Sequence, residues 1–198
     1  MKKYLQALAL AGILIAPAVP AEVPRTQPDQ ALQELARQLE PFKSVAYAES
    51  QGYVRSSGCE SHPTLGTMGF HYSNPRLLGI TGLVNGRVNG IGTYTGANPP
   101  AILLYVPDGR GGLKLAGIEM LVFAQAWDAE NNHPPMYHGR KYNYMADNPA
   151  TPRDEAHNFM PHYDLHIWLF ESNPSGMYAQ WNPALSCSNV GIVNFPDH

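Results

Sequence analysis

The chain is poor in cysteine and in charge, and past its first residues it has no long hydrophobic run. Only 2 of its 198 residues are cysteine and 15% are charged, for a net charge of −3. Two cysteines are too few for a disulfide-knotted miniprotein or a four-cysteine zinc module. No cluster of Lys and Arg follows Lys2 and Lys3, which argues against nucleic acid or an anionic membrane as partner. No glycine-rich phosphate loop joins a strand to a helix, and no GxSxG marks a nucleophile elbow. The tight HxH pair of cupin barrels is also missing, which weakens any analogy to that fold. What remains is abundant Gly and Pro, 18 of each, among recurring apolar runs: a loop-rich folded domain, not a disordered chain.

The one sustained apolar run, Leu5 to Ala16, follows Lys2 and Lys3 and precedes Ala-Val-Pro-Ala at Ala18 to Ala21. A basic start, a short apolar middle and a small-residue exit predict a secretory signal peptide over 1–21, cleaved near Glu22. The other reading is a membrane anchor. The run is shorter than the roughly 20 apolar residues that spanning requires, and Gly12 and Pro17 interrupt it. Export implies a secreted or periplasmic protein, free of the membrane after cleavage, with one mostly β domain over 22–198. In that compartment Cys59 and Cys187 are expected to bond to each other.

Residues 28–53 are the one helical tract: Leu32, Leu35, Ala36 and Leu39 recur at helical spacing, with Asp29 as N-cap, an interruption at Pro41 and a terminator at Gly52. From Gly66 on, short strands and turns replace it. GTMGFHY (Gly66 to Tyr72) sets His71 opposite Met68, Phe70 and Tyr72. Ile80 to Tyr94 carries turn dipeptides at Asn85-Gly86 and Asn89-Gly90. AILLYV (Ala101 to Val106) and LKLAGIEMLVF (Leu113 to Phe123) read as paired strands around Pro107-Asp108-Gly109. The expected fold is mainly β, a sandwich or a small cupin-like barrel, with the helical segment packed on the sheet.

Within the second of these strands, Glu119 stands among Ile118, Met120, Leu121 and Val122, where a carboxylate is costly unless paired or bound to metal. The segment His162 to Phe170 alternates Tyr163, Leu165, Ile167 and Leu169 with His162, Asp164, His166, Trp168 and Phe170. Its β-branched and aromatic content favours a strand, although His162 and His166 would also share a face on a helix. In a strand Asp164 and His166 sit roughly 7 Å apart, while His162 and His166 are about 13 Å apart. Asn173-Pro174-Ser175-Gly176 predicts a turn, and Met177 to Trp181 a short return strand. Residues 125–161 lack periodicity and hold His133, His138 and His157; so long a loop is either a lid over a site or a surface excursion.

GTMGFHY, together with HYDLHIWLFESNPSGMYAQWNP and the trailing Cys187, resembles a family of secreted bacterial proteins to which no activity is attached. The resemblance covers most of the mature chain and places His71 and His166 in signature motifs without supplying their role.

Three strands thus each present a metal-competent side chain: His71, Glu119 and His166, with His162 or Asp164 beside them. Two imidazoles and a carboxylate suit a divalent ion such as Zn, Fe, Mn or Cu and leave coordination positions open. Trp168, Tyr178 and Trp181, with Phe170, are candidate walls of a small-molecule pocket. The competing expectation is a ligand-binding or structural β domain in which Glu119 pairs with Arg76 or Arg110 and the histidines are hydrogen-bonded core.

Overall fold

A computed structural model describes residues 27–151 and 154–188; the expected leader at 1–21 lies outside them. The helical tract forms three pieces, α1 (Gln27–Gln38), a 3-10 turn (Glu40–Lys43) and α2 (Val45–Ser50). Pro41 lacks the N–H needed to carry α1 onward, and the chain tightens there into the 3-10 turn. Ser44 restarts it by accepting the Tyr47 amide on its Oγ at 3.2 Å, and Gly52, at φ +88°, ends it. Helix α1 begins at Gln27, so Asp29 lies inside the first turn and is not its N-cap. Leu32, Leu35, Leu39, Phe42 and Ala48 point inward onto the sheet.

Ten strands follow among the described residues: β1 (Val54–His62), β2 (Gly66–Ser73), β3 (Ile80–Val84), β4 (Arg87–Gly90), β5 (Ile102–Pro107), β6 (Leu113–Phe123), β7 (Met136–Tyr137), β8 (Arg140–Lys141), β9 (Asn143–Met145) and β10 (His162–Ile167). Six of them make one antiparallel sheet in the order β1-β2-β5-β6-β10-β9. The sheet curls into an open half-barrel, the barrel side of the two expected architectures, with α1, the 3-10 turn and α2 packed against it.

Alternation divides this sheet into two buried faces. Phe70, Tyr72, Leu103, Tyr105, Ile118, Met120, Leu165 and Ile167 meet the helices. Tyr105 donates its hydroxyl to the Phe42 carbonyl, and Tyr53 donates to Pro100 at 2.5 Å, so both buried phenols are satisfied. The opposite face carries Ile102, Leu104, Leu121 and Phe123, and with them His71, Glu119, His162, Asp164 and His166.

A bulge decides on which face Glu119 falls. Leu104 pairs with Gly117 but Tyr105 pairs with Leu115, leaving Ala116 as an extra residue in β6. Leu115 and Ile118, three apart, can therefore both meet the helices. Strict alternation from Leu115 would have turned Glu119 toward the helices as well; one inserted residue reverses every side chain beyond it.

Other expectations fare unevenly. Asn85 and Gly86, both at positive φ, close the β3–β4 hairpin as a two-residue turn. Asn89-Gly90 is not a turn but the end of β4, where a Cβ on Gly90 would lie 2.3 Å from the Phe123 ring. The turn at Asn173–Gly176 is made, with the Gly176 amide donating to Asn173 O at 2.9 Å. Met177 to Trp181 is not a strand. Its carbonyls are used singly, by the Trp168 amide at Met177 and the indole N–H of Trp168 at Ala179, and Asn182 then docks on Thr67 by a pair of 3.0 Å backbone bonds. The described residues of 125–161 carry more regular pairing than their pattern implies: β9 is an edge strand on β10, and Val88 brackets Phe159 by bonds to Asn158 O and the Met160 amide, each 2.8 Å.

Cys59 and Cys187 are bonded, with Cα atoms 5.8 Å apart across 128 residues of sequence. The bond ties β1 to the segment that follows Asn182. Closing so long a loop removes much denatured-state entropy, so Cys59→Ser/Cys187→Ser is expected to lose about 4–5 kcal/mol of stability in urea unfolding. A loss under about 1 kcal/mol would show that loop closure is not what the bond contributes.

Candidate functional site

His71 on β2, Glu119 on β6 and His162, Asp164 and His166 on β10 are each no more than 4% exposed. His166 is the direct cross-strand partner of Glu119. His71 is two strands away, paired with Leu104 of β5, whose partner on β6 is Gly117, two residues from Glu119, a backbone separation of about 12 Å. The two long side chains bridge that span. The His71 Nε2 lies 3.3 Å from Glu119 Oε2, the His166 Nε2 3.8 Å from the same oxygen, and the His166 Nδ1 3.6 Å from Asp164 Oδ2.

These contacts are close without being hydrogen bonds. Glu119 Oε2, Asp164 Oδ2 and both ring nitrogens of His166 are buried with no hydrogen-bond partner among the described residues. A fold that satisfies nearly every other buried polar group rarely leaves four such atoms in one cluster.

The outer hydrogen bonds fix how the other two imidazoles face inward. The His162 Nδ1 is 3.0 Å from the Met160 carbonyl, which can only accept, so Nδ1 carries the proton and Nε2 a lone pair. For His71, when the Ser57 hydroxyl donates to the Gly58 carbonyl at 2.7 Å, its contact with Nδ1 at 2.9 Å is Nδ1–H donating to Oγ. In that arrangement the His71 Nε2 also presents a lone pair, directly at the Glu119 carboxylate. A lone pair facing a carboxylate is repulsive unless a proton or a cation lies between them.

Burial pushes Glu119 up to about 8 and raises Asp164 well above the carboxylate range, with the Glu119 charge adding to the rise. Burial likewise lowers His71 and His162 to about 4 and His166 well below its ordinary value. Without an added cation, Glu119 is mostly protonated at neutral pH, and burial presses Asp164 and the imidazoles toward their neutral forms as well. Chemically it can keep those protons or exchange them for one positive ion. Two overlapping sets fit an ion by distance, His71/Glu119/His166 and Glu119/His162/Asp164, each with ligand atoms within 4.8 Å of one another. Glu119 belongs to both.

All five expected site residues are thus brought together, and neither Arg76 nor Arg110 pairs with Glu119 among the described residues. The expected pocket walls separate. Trp168 packs with Val106, Ala116 and Leu185, and Tyr178 packs on the helix-side core, so both are structural. Trp181 does line a pocket, tilted against His62 and edge-on to His157.

Three contributors have no signature in the sequence. His157 stacks on His71 with ring centroids 6.3 Å apart, the Ser57 hydroxyl lies 2.9 Å from the His71 Nδ1, and Glu60 lies 4.0 Å from the His157 Nδ1. His157 is placed by two successive left-handed residues, His157 at φ +50° and Asn158 at +66°. Its proximity to the motif that starts at His162 was the one available hint.

Comparison with protein-family models, curated proteins and solved structures finds no match. The site's chemistry therefore carries the functional reading alone.

Proposed function

We propose that the buried cluster binds one divalent transition-metal ion, Zn, Cu, Fe or Mn, in a protein exported from the cytoplasm. The observation that carries this is the set of inward-facing lone pairs: His71 and His162 each held by an outer hydrogen bond with Nε2 bare, around a Glu119 oxygen and a His166 ring that lack partners. Metal-ligating histidines are ordinarily held this way, the far nitrogen donating to a carbonyl, hydroxyl or carboxylate. The separations of 3.3 and 3.8 Å between Glu119 Oε2 and the two Nε2 atoms bracket the ligand–ligand edge of about 3.4 Å that bonds near 2.1 Å give.

In this reading His71, Glu119 and His166 are the ligands, Asp164 orients His166 through Nδ1, and His162 offers a further nitrogen from the second set. Charge favours a single ion, since two carboxylates balance one divalent cation and a second would leave buried positive charge unanswered. A bound ion would supply Lewis acidity toward a small-molecule oxygen or nitrogen, provided that it keeps a coordination position open. Export is supported by the leader pattern and by the disulfide, which persists in oxidising compartments.

A second reading is a purely structural network in which protonated Glu119 and Asp164 donate to the imidazoles. The raised Glu119 carboxyl favours it directly. The metal content of untagged protein from its native compartment separates the two. The metal reading expects one transition-metal ion per chain, recovered on reloading after chelation; a chain that takes up no divalent ion is the structural network.

A further inference from the structure

A pocket of about 510 Å³ opens beside the cluster, with Glu60, His62, Asp154, Glu155, His157 and Trp181 in its lining. His157 links the two. It lines the pocket on one side, and its ring stacks on His71, 20° from parallel, on the other. The loop that holds it is fastened by the Asn158 amide on Asp154 Oδ2 at 2.7 Å and by Arg87, which bonds both Asp154 and the Phe159 carbonyl.

The charge of this lining is one-sided. Three of its residues are acidic, and none of the described ones is Lys or Arg. Two of those carboxylates are already engaged: Asp154 with Arg87 at 2.9 Å, and Glu155 by the Asn148 amide and the Thr151 hydroxyl. Glu60 is different. It is two-thirds buried, and its basic neighbour among the described residues is the His157 imidazole, whose Nδ1 at 4.0 Å is beyond hydrogen-bond reach. Among the described residues the fold thus leaves a largely buried carboxylate in a cavity without a Lys or Arg partner. Trp181 lines the same cavity, its ring 5.5 Å from that of His62 and 6.0 Å from that of His157. A carboxylate and an indole lining one cavity are the two elements that together select an organic cation, by charge and by cation–π attraction.

We propose that this pocket binds a small molecule bearing a positively charged nitrogen, with Glu60 and Trp181 taking the cationic group and His157 dividing the ligand from the buried cluster. That such a ligand is the substrate of a metal centre rests on the reading above; that it binds does not. Anionic ligands are opposed by all three carboxylates. A neutral sugar would stack on Trp181 and gain nothing from charge.

The test is calorimetric titration of the chelator-treated protein, and of the metal-reloaded protein, with three probes of one shape: benzylamine, benzyl alcohol and benzoate. Benzylamine should bind at least tenfold more tightly than either of the others in both forms. Glu60→Gln should abolish that preference, and Trp181→Leu should weaken benzylamine binding severalfold. Equal binding of benzylamine and benzyl alcohol, or no binding of benzylamine, overturns the proposal even if the protein takes up metal. Cation-selective binding in a protein that takes up no metal sustains the pocket and removes the metal reading. Should Glu60→Gln not fold, the preference of the unaltered protein among the three probes still decides.

Discussion

Replacing Glu119 with Gln should lower divalent-metal affinity at least about 100-fold, since loss of a direct ligand exceeds the 10–100-fold typical of its supporting contacts. The same substitution should not destabilise the metal-free protein at pH 8 and should stabilise it above that. In the absence of metal, burial holds Glu119 protonated up to about pH 8, and an amide reproduces that neutral shape without having to retain a proton. Opposite signs for metal affinity and metal-free stability distinguish a ligand from a core residue. His133→Ala, on an exposed part of the 125–161 excursion, should change neither. Isothermal titration with Zn and urea unfolding of the two variants check this. A metal affinity unchanged in Glu119→Gln would remove Glu119 from any site.

The second large effect is in pH. Glu119 has a folded value near 8 against an ordinary 4.5, so its contribution to metal-free stability is full below about pH 4.5 and is lost as pH rises through 8. Asp164 is shifted in the same direction. The histidines act oppositely: with His71, His157 and His162 lowered to about 4 from 6.5, their contribution is full above about pH 6.5 and is lost as pH falls toward 4. His166 is shifted with them. Four imidazoles outweigh two carboxyls on the acid side, so metal-free stability should rise with pH up to about 6.5 and fall beyond it. Metal must displace the Glu119 proton, so uptake at pH 7 should release close to one proton per ion from Glu119, with any held by Asp164 in addition, and tighten up to about pH 8. Titration calorimetry in buffers of different ionisation enthalpy counts those protons. Uptake with no proton release would mean that the carboxyls are already ionised and that the cluster's electrostatics are not as described.

Much of this site could be read from the residues themselves because its members lie on strands, where side-chain direction follows from a period of two. His71 opposite Phe70 and Tyr72, and His162, Asp164 and His166 opposite Leu165 and Ile167, are direct readings of alternation, and the structure keeps them. Glu119 was legible as a carboxylate in apolar company, but its face was not, because the bulge at Ala116 depends on how β6 pairs with β5. His157 was illegible for a related reason. It reaches His71 from a loop positioned by Val88 and Arg87 of a hairpin some 70 residues earlier, and no local pattern encodes such an anchor. Tyr178 and Trp168 read as candidate pocket walls because aromatic content does not reveal which side of the chain is open. The segment from Met177 to Trp181 read as a strand through the same aromatic bias, yet its bonding is set by Trp168 and Asn182.

Anomalous scattering from crystals of metal-loaded protein is the most direct test of the central claim. The expected result is one strong peak per chain, about 2.0–2.2 Å from the His71 Nε2, a Glu119 oxygen and the His166 Nε2, with Asp164 turned to the far nitrogen of His166. A map with no peak among these residues, collected from protein soaked in millimolar Zn, would contradict it and leave Glu119 and Asp164 as carboxylic acids in a buried hydrogen-bonded core.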